Sequence, residues 1–331
     1  MSAPGALLET SALTRHFVLA RKGLGRKPVR LRAVDGVSFH IDPGETLGLV
    51  GESGCGKSTV ARLVLGLERP DAGRVAFESQ EVQAAGSADW RRLRRRAQMV
   101  FQDPLSALDP RLNVGRQVLE PLDIHRIGTA AQRPQQLAAA LAAVNLPAEL
   151  AQRFPHELSG GQLQRIVIAR ALVLEPRLVV CDEPVSALDV SVQAQVVNLL
   201  GSLQRARGIA YLFISHELKV IRDISHRVAV MYLGKLVETA PRDALFREPL
   251  HPYTQALIAA VPVPDPTRRG QRALLRGDPP SPIDPPSGCR FHTRCPLAQP
   301  RCREVEPALR AVAPGRSVAC HLVEPAAAAM P

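Results

Sequence analysis

The sequence predicts an α/β fold built on a mostly parallel sheet, and two kinds of segment lead to this prediction. Residues 178–181 and 210–214 are apolar throughout and have the length of strands that are buried on both faces of a sheet. Residues 163–174 and 192–207 have the pattern of helices and alternate with those strands along the chain. Such alternation is typical of folds in which helices cover a parallel sheet.

The first part of the chain predicts further elements of the same fold. Residues 31–41 are rich in strand-forming side chains, residues 42–45 form an Asp-Pro-Gly-Glu turn, and residues 46–50 make a short apolar strand. A glycine-rich loop follows this strand, and a helix is predicted from Lys57 to about Leu67. Residues 112–150 are also predicted to be helical.

The composition describes a chain that can bury a core and has no segment able to span a membrane. Hydrophobic residues make up 46% and charged residues 22% of the 331 residues. No apolar run reaches the roughly 18 residues that a spanning helix needs, and the first residues lack the basic start of a signal peptide. We therefore expect a cytosolic protein whose cysteines stay reduced.

The formal net charge of +11 leaves three interpretations open. Much of the excess lies in two clusters, which are Arg21, Lys22, Arg26 and Lys27, and then Arg91, Arg92, Arg94, Arg95 and Arg96. Aromatic residues are not interleaved with these arginines. The charge pattern therefore favours a solvated face over nucleic-acid binding. Attraction to anionic lipid headgroups is the other interpretation. We expect no nucleic-acid partner.

A phosphate-binding loop is the clearest chemical motif in the first part of the chain. It consists of Gly51, Glu52, Ser53, Gly54, Cys55, Gly56, Lys57 and Ser58, which match G-x-x-x-x-G-K-[ST] between a strand and a helix. The glycines allow backbone N–H groups to converge on phosphate oxygens at a helix N-terminus. Lys57 is expected to reach the β- and γ-phosphates, and Ser58 is expected to bind Mg²⁺.

Two carboxylates at the end of an apolar strand complete a nucleotide-hydrolysing arrangement. Asp182 follows the apolar residues 178–181 directly and is placed to hold Mg²⁺. Glu183 comes next and is placed to orient or deprotonate the water that attacks the γ-phosphate. Together with the phosphate-binding loop, this pair predicts hydrolysis of a nucleoside triphosphate.

Residues 158–162, Leu-Ser-Gly-Gly-Gln, resemble the signature sequence of ABC transporter ATPases. Further elements of that family occur in the expected order along the chain. They are Phe17 as the aromatic residue against adenine, Gln102 as the Q-loop glutamine, 186–189 as the D-loop and His216 as the switch histidine. The resemblance covers residues 7–246 as a single ATP-binding cassette.

The resemblance implies a set of site residues and a more specific fold. The ATP-binding residues it implies are Phe17, Gly51, Ser53, Gly54, Cys55, Gly56, Lys57, Ser58, Thr59, Ser159, Gly160, Gly161, Gln162 and Asp189. It implies Glu183, His216 and Gln102 as catalytic residues, and Ser58, Gln102 and Asp182 as ligands of Mg²⁺. The fold it implies is that of P-loop (RecA-like) NTPases, with an antiparallel β subdomain and an α-helical signature subdomain at about 103–167.

The composition changes near residue 247, where proline becomes frequent and little regular structure is expected. Residues 247–257 and 288–296 resemble the C-terminal region of ATPases that serve oligopeptide, dipeptide and nickel importers. We therefore predict an ABC ATPase domain at 7–246 and a C-terminal region with a Pro/Cys-rich extension at 247–331.

Four of the six cysteines lie in this extension, at Cys289, Cys295, Cys302 and Cys320. Cysteines grouped in a short segment of a reduced protein suggest a metal centre, although their gaps are wider than those of common zinc sites. The resemblance implies a 4Fe–4S site, since members of the peptide-importer group carry one in this region. Zinc and free thiols are the alternatives.

The resemblance implies a motor subunit that couples ATP hydrolysis to import of dipeptides or oligopeptides. Its expected partners are a second ABC ATPase subunit, two transmembrane permease subunits and an extracytoplasmic solute-binding protein. Its expected location is the cytoplasmic face of the cell membrane, as a peripheral protein. The alternatives are the same role for nickel or another small solute and, more remotely, a soluble ABC ATPase outside transport.

Overall fold

A computed structural model describes residues 5–20, 29–83, 85–260 and 277–324. The strands in these ranges are β1 (Leu8–Ala20), β2 (Val29–Ile41), β3 (Thr46–Val50), β4 (Ala72–Phe77), β5 (Gln80–Glu81), β6 (Ala97–Val100), β7 (Leu178–Asp182), β8 (Ala210–Ile214), β9 (Arg227–Tyr232), β10 (Lys235–Pro241), β11 (Arg310–Ala313) and β12 (Arg316–Val318). The α-helices are α1 (Lys57–Val64), α2 (Ala88–Arg96), α3 (Val114–Ile124), α4 (Arg133–Ala143), α5 (Gly160–Leu172), α6 (Val190–Arg207), α7 (Leu218–Ile224), α8 (Arg242–Arg247), α9 (Pro252–Ala259) and α10 (Pro300–Glu304).

The larger sheet has eight strands in the order β11-β12-β10-β9-β3-β8-β7-β6. The neighbours from β9 to β6 are parallel, and the pairs among β9, β10, β12 and β11 are antiparallel. Every residue of β3, β7 and β8 is buried, as expected for strands covered on both faces. The predicted α/β fold with a mostly parallel sheet is therefore confirmed.

The smaller sheet is antiparallel and has the order β2-β1-β4-β5. Its inner side chains, such as Leu13 and Val37, share one core with Val60 and Leu63 of α1 and with Leu49 of β3. This shared core fixes the smaller sheet against the phosphate-binding loop between β3 and α1.

A helical layer formed by α3, α4 and α5 packs around a second core. The sequence predicted helix throughout 112–150, but the structure ends α3 at Ile124 and begins α4 at Arg133. The backbone adopts left-handed angles at Arg126 (φ 55°) and Gly128 (φ 73°), which stop the helix. In the same way α1 ends at Val64, short of the predicted Leu67, because Gly66 is left-handed (φ 63°).

The C-terminal residues have more regular structure than their composition predicted. The strand β12 pairs with β10, where Val318 lies opposite Glu238, so the last strands extend the main sheet. Tyr253 of α9 and Phe291 are almost fully buried and belong to the same core as the helical layer. Among the described residues, no helix is long and apolar enough to cross a membrane.

Candidate active site

The phosphate-binding loop joins the carboxyl end of β3 to the start of α1 and is held by its own lysine. Lys57 is buried, and its Nζ donates hydrogen bonds to the carbonyl oxygens of Gly51 (2.8 Å) and Glu52 (3.0 Å). Gly56 is the residue before α1 and has φ 109°, and a Cβ there would lie 2.0 Å from the carbonyl oxygen of Ala33. Only glycine fits this position without moving the backbone.

The other predicted residues of the loop differ in exposure. Ser53 and Gly54 are exposed at the tip, where Gly54 has φ 77°, and Thr59 is half-buried in the first turn of α1. Cys55 is buried, and this burial raises the pKa of its thiol. We therefore assign Cys55 as a small packing residue whose backbone, rather than whose sulfur, belongs to the loop.

Ser58 and Asp182 bring an alcohol and a carboxylate together beside the loop. The Ser58 hydroxyl donates to Oδ1 of Asp182 at 3.0 Å. Burial at the end of β7 raises the pKa of Asp182, and the charge of Glu183 raises it further, against the lowering effect of the Ser58 hydrogen bond. Hard oxygen donors of this kind suit Mg²⁺, and a cation there would relieve the cost of a buried carboxylate, so these residues fit the predicted ion.

Three predicted catalytic residues meet at one oxygen of Glu183. Its Oε2 lies 3.0 Å from Nδ1 of His216 and accepts a hydrogen bond from Nε2 of Gln102 at 3.3 Å. The backbone of Glu183 is left-handed (φ 50°), and its N–H donates to the carbonyl of Ile214 at 3.0 Å. A non-glycine residue held in this conformation beside a reactive group is typical of a functional site.

The signature residues form the start of α5. The Ser159 hydroxyl accepts from the N–H of Gln162 (3.3 Å), and the Gln162 side chain accepts from the N–H of Ser159 (3.0 Å), which is a capping box. Gly161 lies against α6, since a Cβ there would be 2.5 Å from Cγ1 of Val192. Ser159 and Gly160 are exposed at the N-terminus of this helix, whereas Gly161 and Gln162 are half-buried.

Asp189 and Phe17 lie on different elements. Asp189 caps α6 by accepting from the N–H groups of Ser191 (3.1 Å) and Val192 (3.0 Å). The hydrogen bond from the Ser191 hydroxyl lowers the pKa of Asp189. Phe17 lies in β1 with its ring half-buried, and the guanidinium carbon of Arg15 is 4.8 Å from the ring centroid. A ring that binds a guanidinium offers a flat face of the kind a base can stack on.

The structure does not support the predicted iron–sulfur site at Cys289, Cys295, Cys302 and Cys320. Within residues 5–20, 29–83, 85–260 and 277–324, no group of three or more His, Cys, Asp or Glu side chains is arranged to hold a metal ion. Burial, together with the nearby thiols of the other three cysteines, raises the pKa of Cys289 to about 11. Cys302 and Cys320 are buried, whereas Cys289 and Cys295 are half-buried.

Two residues that the sequence analysis missed contact the phosphate-binding loop from the C-terminal region. The Tyr253 hydroxyl accepts a hydrogen bond from the N–H of Glu52 at 2.9 Å. The guanidinium of Arg294 donates to both carboxylate oxygens of Glu52, at 2.8 and 3.0 Å. No local pattern predicts these contacts, because they join positions about 200 residues or more apart.

Comparisons with known proteins agree with this geometry. A family model described as ABC transporter matches residues 34–186, and one described as Oligopeptide/dipeptide transporter, C-terminal region, matches residues 237–302. A probable peptide ABC transporter ATP-binding protein of Sinorhizobium fredii is 53% identical, over 98% of this chain and 92% of its own length. The oligopeptide transport ATP-binding protein OppF of Escherichia coli is 49% identical, over 96% of this chain and 97% of its own length.

Solved structures show the same fold. The protein cbiO1 of Clostridium perfringens, described as part of an ABC transporter complex, has a TM-score of 0.63 at 24% identity, over 74% of this chain and 92% of that one. A dimeric ATP-binding cassette in a post-hydrolysis state with ADP and Pi has a TM-score of 0.62 at 26% identity, over 71% of this chain and 98% of that one. The chain described here therefore belongs to the ABC transporter family, as one of its ATP-binding and ATP-hydrolysing proteins.

Proposed function

We propose that the chain is the ATP-hydrolysing subunit of a transporter that imports dipeptides or oligopeptides. The observation that carries this proposal is the similarity over nearly the whole chain to proteins named for peptide transport, which extends through the C-terminal region. The same motor role for nickel or another small solute is the alternative, because substrate choice lies in other subunits.

The arrangement around Glu183 supports a specific division of chemical roles. Lys57 and the amides of its loop bind the phosphates, while Ser58, Asp182 and Gln102 are the residues that would hold Mg²⁺. The ion supplies positive charge to phosphate oxygens when it is bound. Glu183 accepts a proton from the attacking water. Nδ1 of His216 lies 3.0 Å from Oε2 of Glu183 and orients this carboxylate.

Two cassettes are needed for a complete site in this proposal. Shifting an open–closed equilibrium from about 1:99 to 99:1 takes about 5.5 kcal/mol, whereas one charged hydrogen bond contributes about 1.5–3 kcal/mol. The exposed N-terminus of α5 offers several contacts at once, namely the Ser159 hydroxyl, the amides of Gly160 and Gly161 and the helix dipole. We propose that these contact ATP held by a second ABC ATPase subunit.

The remaining partners follow from the transport role. They are two transmembrane permease subunits and an extracytoplasmic solute-binding protein, with this chain bound at the cytoplasmic face of the membrane. The division into an ATPase domain at 7–246, with its helical subdomain at about 103–167, and a C-terminal region at 247–331 stays part of this proposal. What supports the helical subdomain is the packing of α3, α4 and α5 against one another.

Reconstitution of the full transporter tests the proposal. The chain would be assembled with its permease subunits and second ATPase in liposomes, and ATP hydrolysis would be measured with the binding protein loaded with a peptide library. We expect peptide to stimulate hydrolysis and to enter the vesicles. Stimulation by nickel but not by peptide would select the alternative solute, and a chain without ATPase activity would contradict the proposal altogether.

The four C-terminal cysteines need a separate measurement. Resemblance to the peptide-importer group is what supports a 4Fe–4S cluster, and the unsuitable arrangement of the thiols speaks against it. Iron, sulfide and zinc would be determined on protein purified without oxygen, and on a Cys302→Ser variant. Stoichiometric iron and sulfide that the variant loses would establish the cluster, while zinc or free thiols would exclude it.

A further inference from the structure

Glu52, the second residue of the phosphate-binding loop, is held at all three of its polar groups. Its carbonyl accepts from Nζ of Lys57 at 3.0 Å, and its N–H donates to the hydroxyl of Tyr253 at 2.9 Å. Its carboxylate accepts two hydrogen bonds from Arg294, at 2.8 and 3.0 Å. Two of these three groups are bonded to residues of the C-terminal region, Tyr253 and Arg294. The third is bonded to Lys57, which is expected to bind phosphate.

The residues that hold Glu52 are fixed by a buried aromatic cluster. The ring of Tyr253 lies 4.6 Å from that of Tyr232 and 5.4 Å from that of Phe291, and the rings of Tyr232 and Phe291 are 5.3 Å apart. All three side chains are at most 1% exposed. Because Phe291 is three residues before Arg294, the cluster anchors the segment that carries the arginine to the end of β9.

A second arginine of the same segment supports the other side of the loop. Arg290 is buried and donates hydrogen bonds to the Asp35 carboxylate and to the Leu233 carbonyl. Asp35 is two residues after Ala33, whose carbonyl oxygen faces the α-carbon of Gly56 so closely that no Cβ fits between them. The segment from Arg290 to Arg294 therefore contacts the loop directly through Arg294, and through Arg290 it contacts Asp35 and Leu233 beside the loop.

We propose that Arg294 and Tyr253 are positioning residues for ATP binding, which hold Glu52 and thereby preorganise Lys57 and the loop. The inference rests on the proposed ATP-hydrolysing function and adds to it a role for the C-terminal region. A loop that is already ordered does not have to lose freedom when ATP binds, so the ordering cost falls on folding instead of on binding. Removing the contact of either residue with Glu52 therefore moves the cost of ordering the loop from folding to ATP binding.

The bidentate geometry makes arginine specific at this position. A guanidinium matches both oxygens of a carboxylate in one plane, whereas an ammonium binds as a single point. Arg294→Lys keeps the positive charge but loses the second bond, and Tyr253→Phe keeps the ring in its cluster but leaves the Glu52 N–H without its acceptor. Tyr253→Phe therefore changes one contact with Glu52 and preserves the aromatic packing, whereas Arg294→Lys also alters the 3.4 Å hydrogen bond from Arg294 to the Tyr232 hydroxyl.

ATP affinity and steady-state kinetics of the full-length chain test the inference. We expect Arg294→Lys and Tyr253→Phe each to weaken ATP binding by about fivefold to tenfold, the effect of one hydrogen bond. KM for ATP should rise by a similar factor, whereas kcat should change less than about twofold because Glu183 is untouched. Thermal unfolding of each variant, followed by circular dichroism, reports whether the fold is intact.

A double-mutant cycle separates positioning from general stability. Glu52→Gln, Arg294→Gln and the double variant should weaken ATP binding by the same factor, because one pair is lost in each case. Glu52→Gln changes a half-buried loop residue, so it keeps the test open if a C-terminal variant fails to fold. The matched control is Arg316→Gln, since Arg316 is a C-terminal arginine with a 3.2 Å ion pair to Glu248 and should leave ATP affinity unchanged.

The outcomes distinguish this inference from the proposed function. Wild-type chain that binds ATP, together with variants of unchanged affinity or variants no different from Arg316→Gln, would overturn the positioning role alone. Additive effects of Glu52→Gln and Arg294→Gln would also overturn it. A wild-type chain that bound no ATP would overturn the proposed function, and this inference with it.

Discussion

Nδ1 of His216 lies 3.0 Å from Oε2 of Glu183, although 33 positions separate the two residues in the sequence. The sheet explains this proximity. The strands β7 and β8 are parallel neighbours in which Asp182 pairs with Ile214, so the residues that follow each strand emerge at the same edge. Parallel strands thus bring a carboxylate and an imidazole together at the end of the sheet, beside the phosphate-binding loop.

Replacing Glu183 by glutamine should separate ATP binding from hydrolysis. The amide keeps the size of the side chain and can still contact His216, but it cannot accept the proton of the attacking water. We expect turnover to fall by about 10²- to 10⁴-fold with ATP affinity nearly unchanged, as measured by phosphate release and by nucleotide retention. The control is Glu217→Gln, whose carboxylate accepts from Gln193 at 2.7 Å. Undiminished hydrolysis by Glu183→Gln would exclude Glu183 as the general base that accepts the proton of the attacking water.

Asp182→Asn should stabilise the nucleotide-free chain while impairing its function. Burial raises the pKa of Asp182 above its ordinary value of 3.8, so the folded state disfavours the carboxylate that neutral pH imposes. In the wild type, stability is lost as pH rises from the ordinary pKa of Asp182 to its raised pKa in the folded state. The variant does not titrate and therefore regains this stability. We expect a higher unfolding temperature at pH 7 and weaker Mg²⁺-dependent ATP binding. A lower unfolding temperature would show that the carboxylate itself supports the fold.

The sequence predicted the site residues that belong to contiguous motifs, and it missed those joined only by packing. The phosphate-binding loop, the pair Asp182–Glu183 and the signature residues 158–162 are each contiguous in the sequence. Tyr253 and Arg294 reach the loop across long distances in sequence, and no periodicity encodes such contacts. Helix ends were also missed, because left-handed residues such as Arg126 and Gly66 stop helices whose composition would allow them to continue.

The cysteine spacing shows a different limit of prediction. Four thiols in a short segment indicated a metal site, and the fold does bring the other three near enough to Cys289 to raise its pKa. Their positions follow from other constraints, however. Cys302 is buried in α10, and Cys320 comes just after β12 and packs with Val318. Ligand geometry depends on how these elements pack, and spacing along the chain does not specify it.

The buried His251 should make the C-terminal region sensitive to acid. Burial lowers the pKa of His251 to about 4, and its Nδ1 accepts the Tyr253 N–H at 3.0 Å as the cap of α9. The contribution of neutral His251 to stability is present in full above the ordinary histidine pKa of 6.5, and it is lost as pH falls through about 4. We expect the free energy of unfolding to fall by about 3 kcal/mol over this range from this residue.

His251→Asn should remove most of that pH dependence, since asparagine can still cap a helix but does not titrate. Equilibrium unfolding in urea at pH 7, 5.5 and 4 measures the difference. The control is His156→Asn, because His156 is exposed beside Phe154 and should leave the slope unchanged. A slope equal to that of the wild type in His251→Asn would show that acid acts elsewhere in the chain.

Changes at Ser159 should act on ATP bound by the other cassette. Ser159→Ala removes the cap of α5 and should cost about 1 kcal/mol of stability. Ser159→Arg adds a long cation at the exposed helix N-terminus, where it should block closure of the dimer. We expect it to leave ATP binding to the chain's own Lys57 loop intact while hydrolysis at the partner's loop stops. The control is Ser202→Arg, which changes an exposed serine of α6.

Complexes with two cassettes decide whether the sites are shared. When Ser159→Arg and Lys57→Ala are placed in the same cassette, each site loses one half and hydrolysis should stop. When the two changes are placed in opposite cassettes, both defects fall on a single site and the second site keeps its parts, although coupling between sites can lower its rate. Both complexes carry the same pair of substitutions, so a difference in phosphate release between them reports geometry rather than stability. Faster hydrolysis by the complex that carries both changes in one cassette, or full hydrolysis by an isolated monomer, would contradict the two-cassette arrangement.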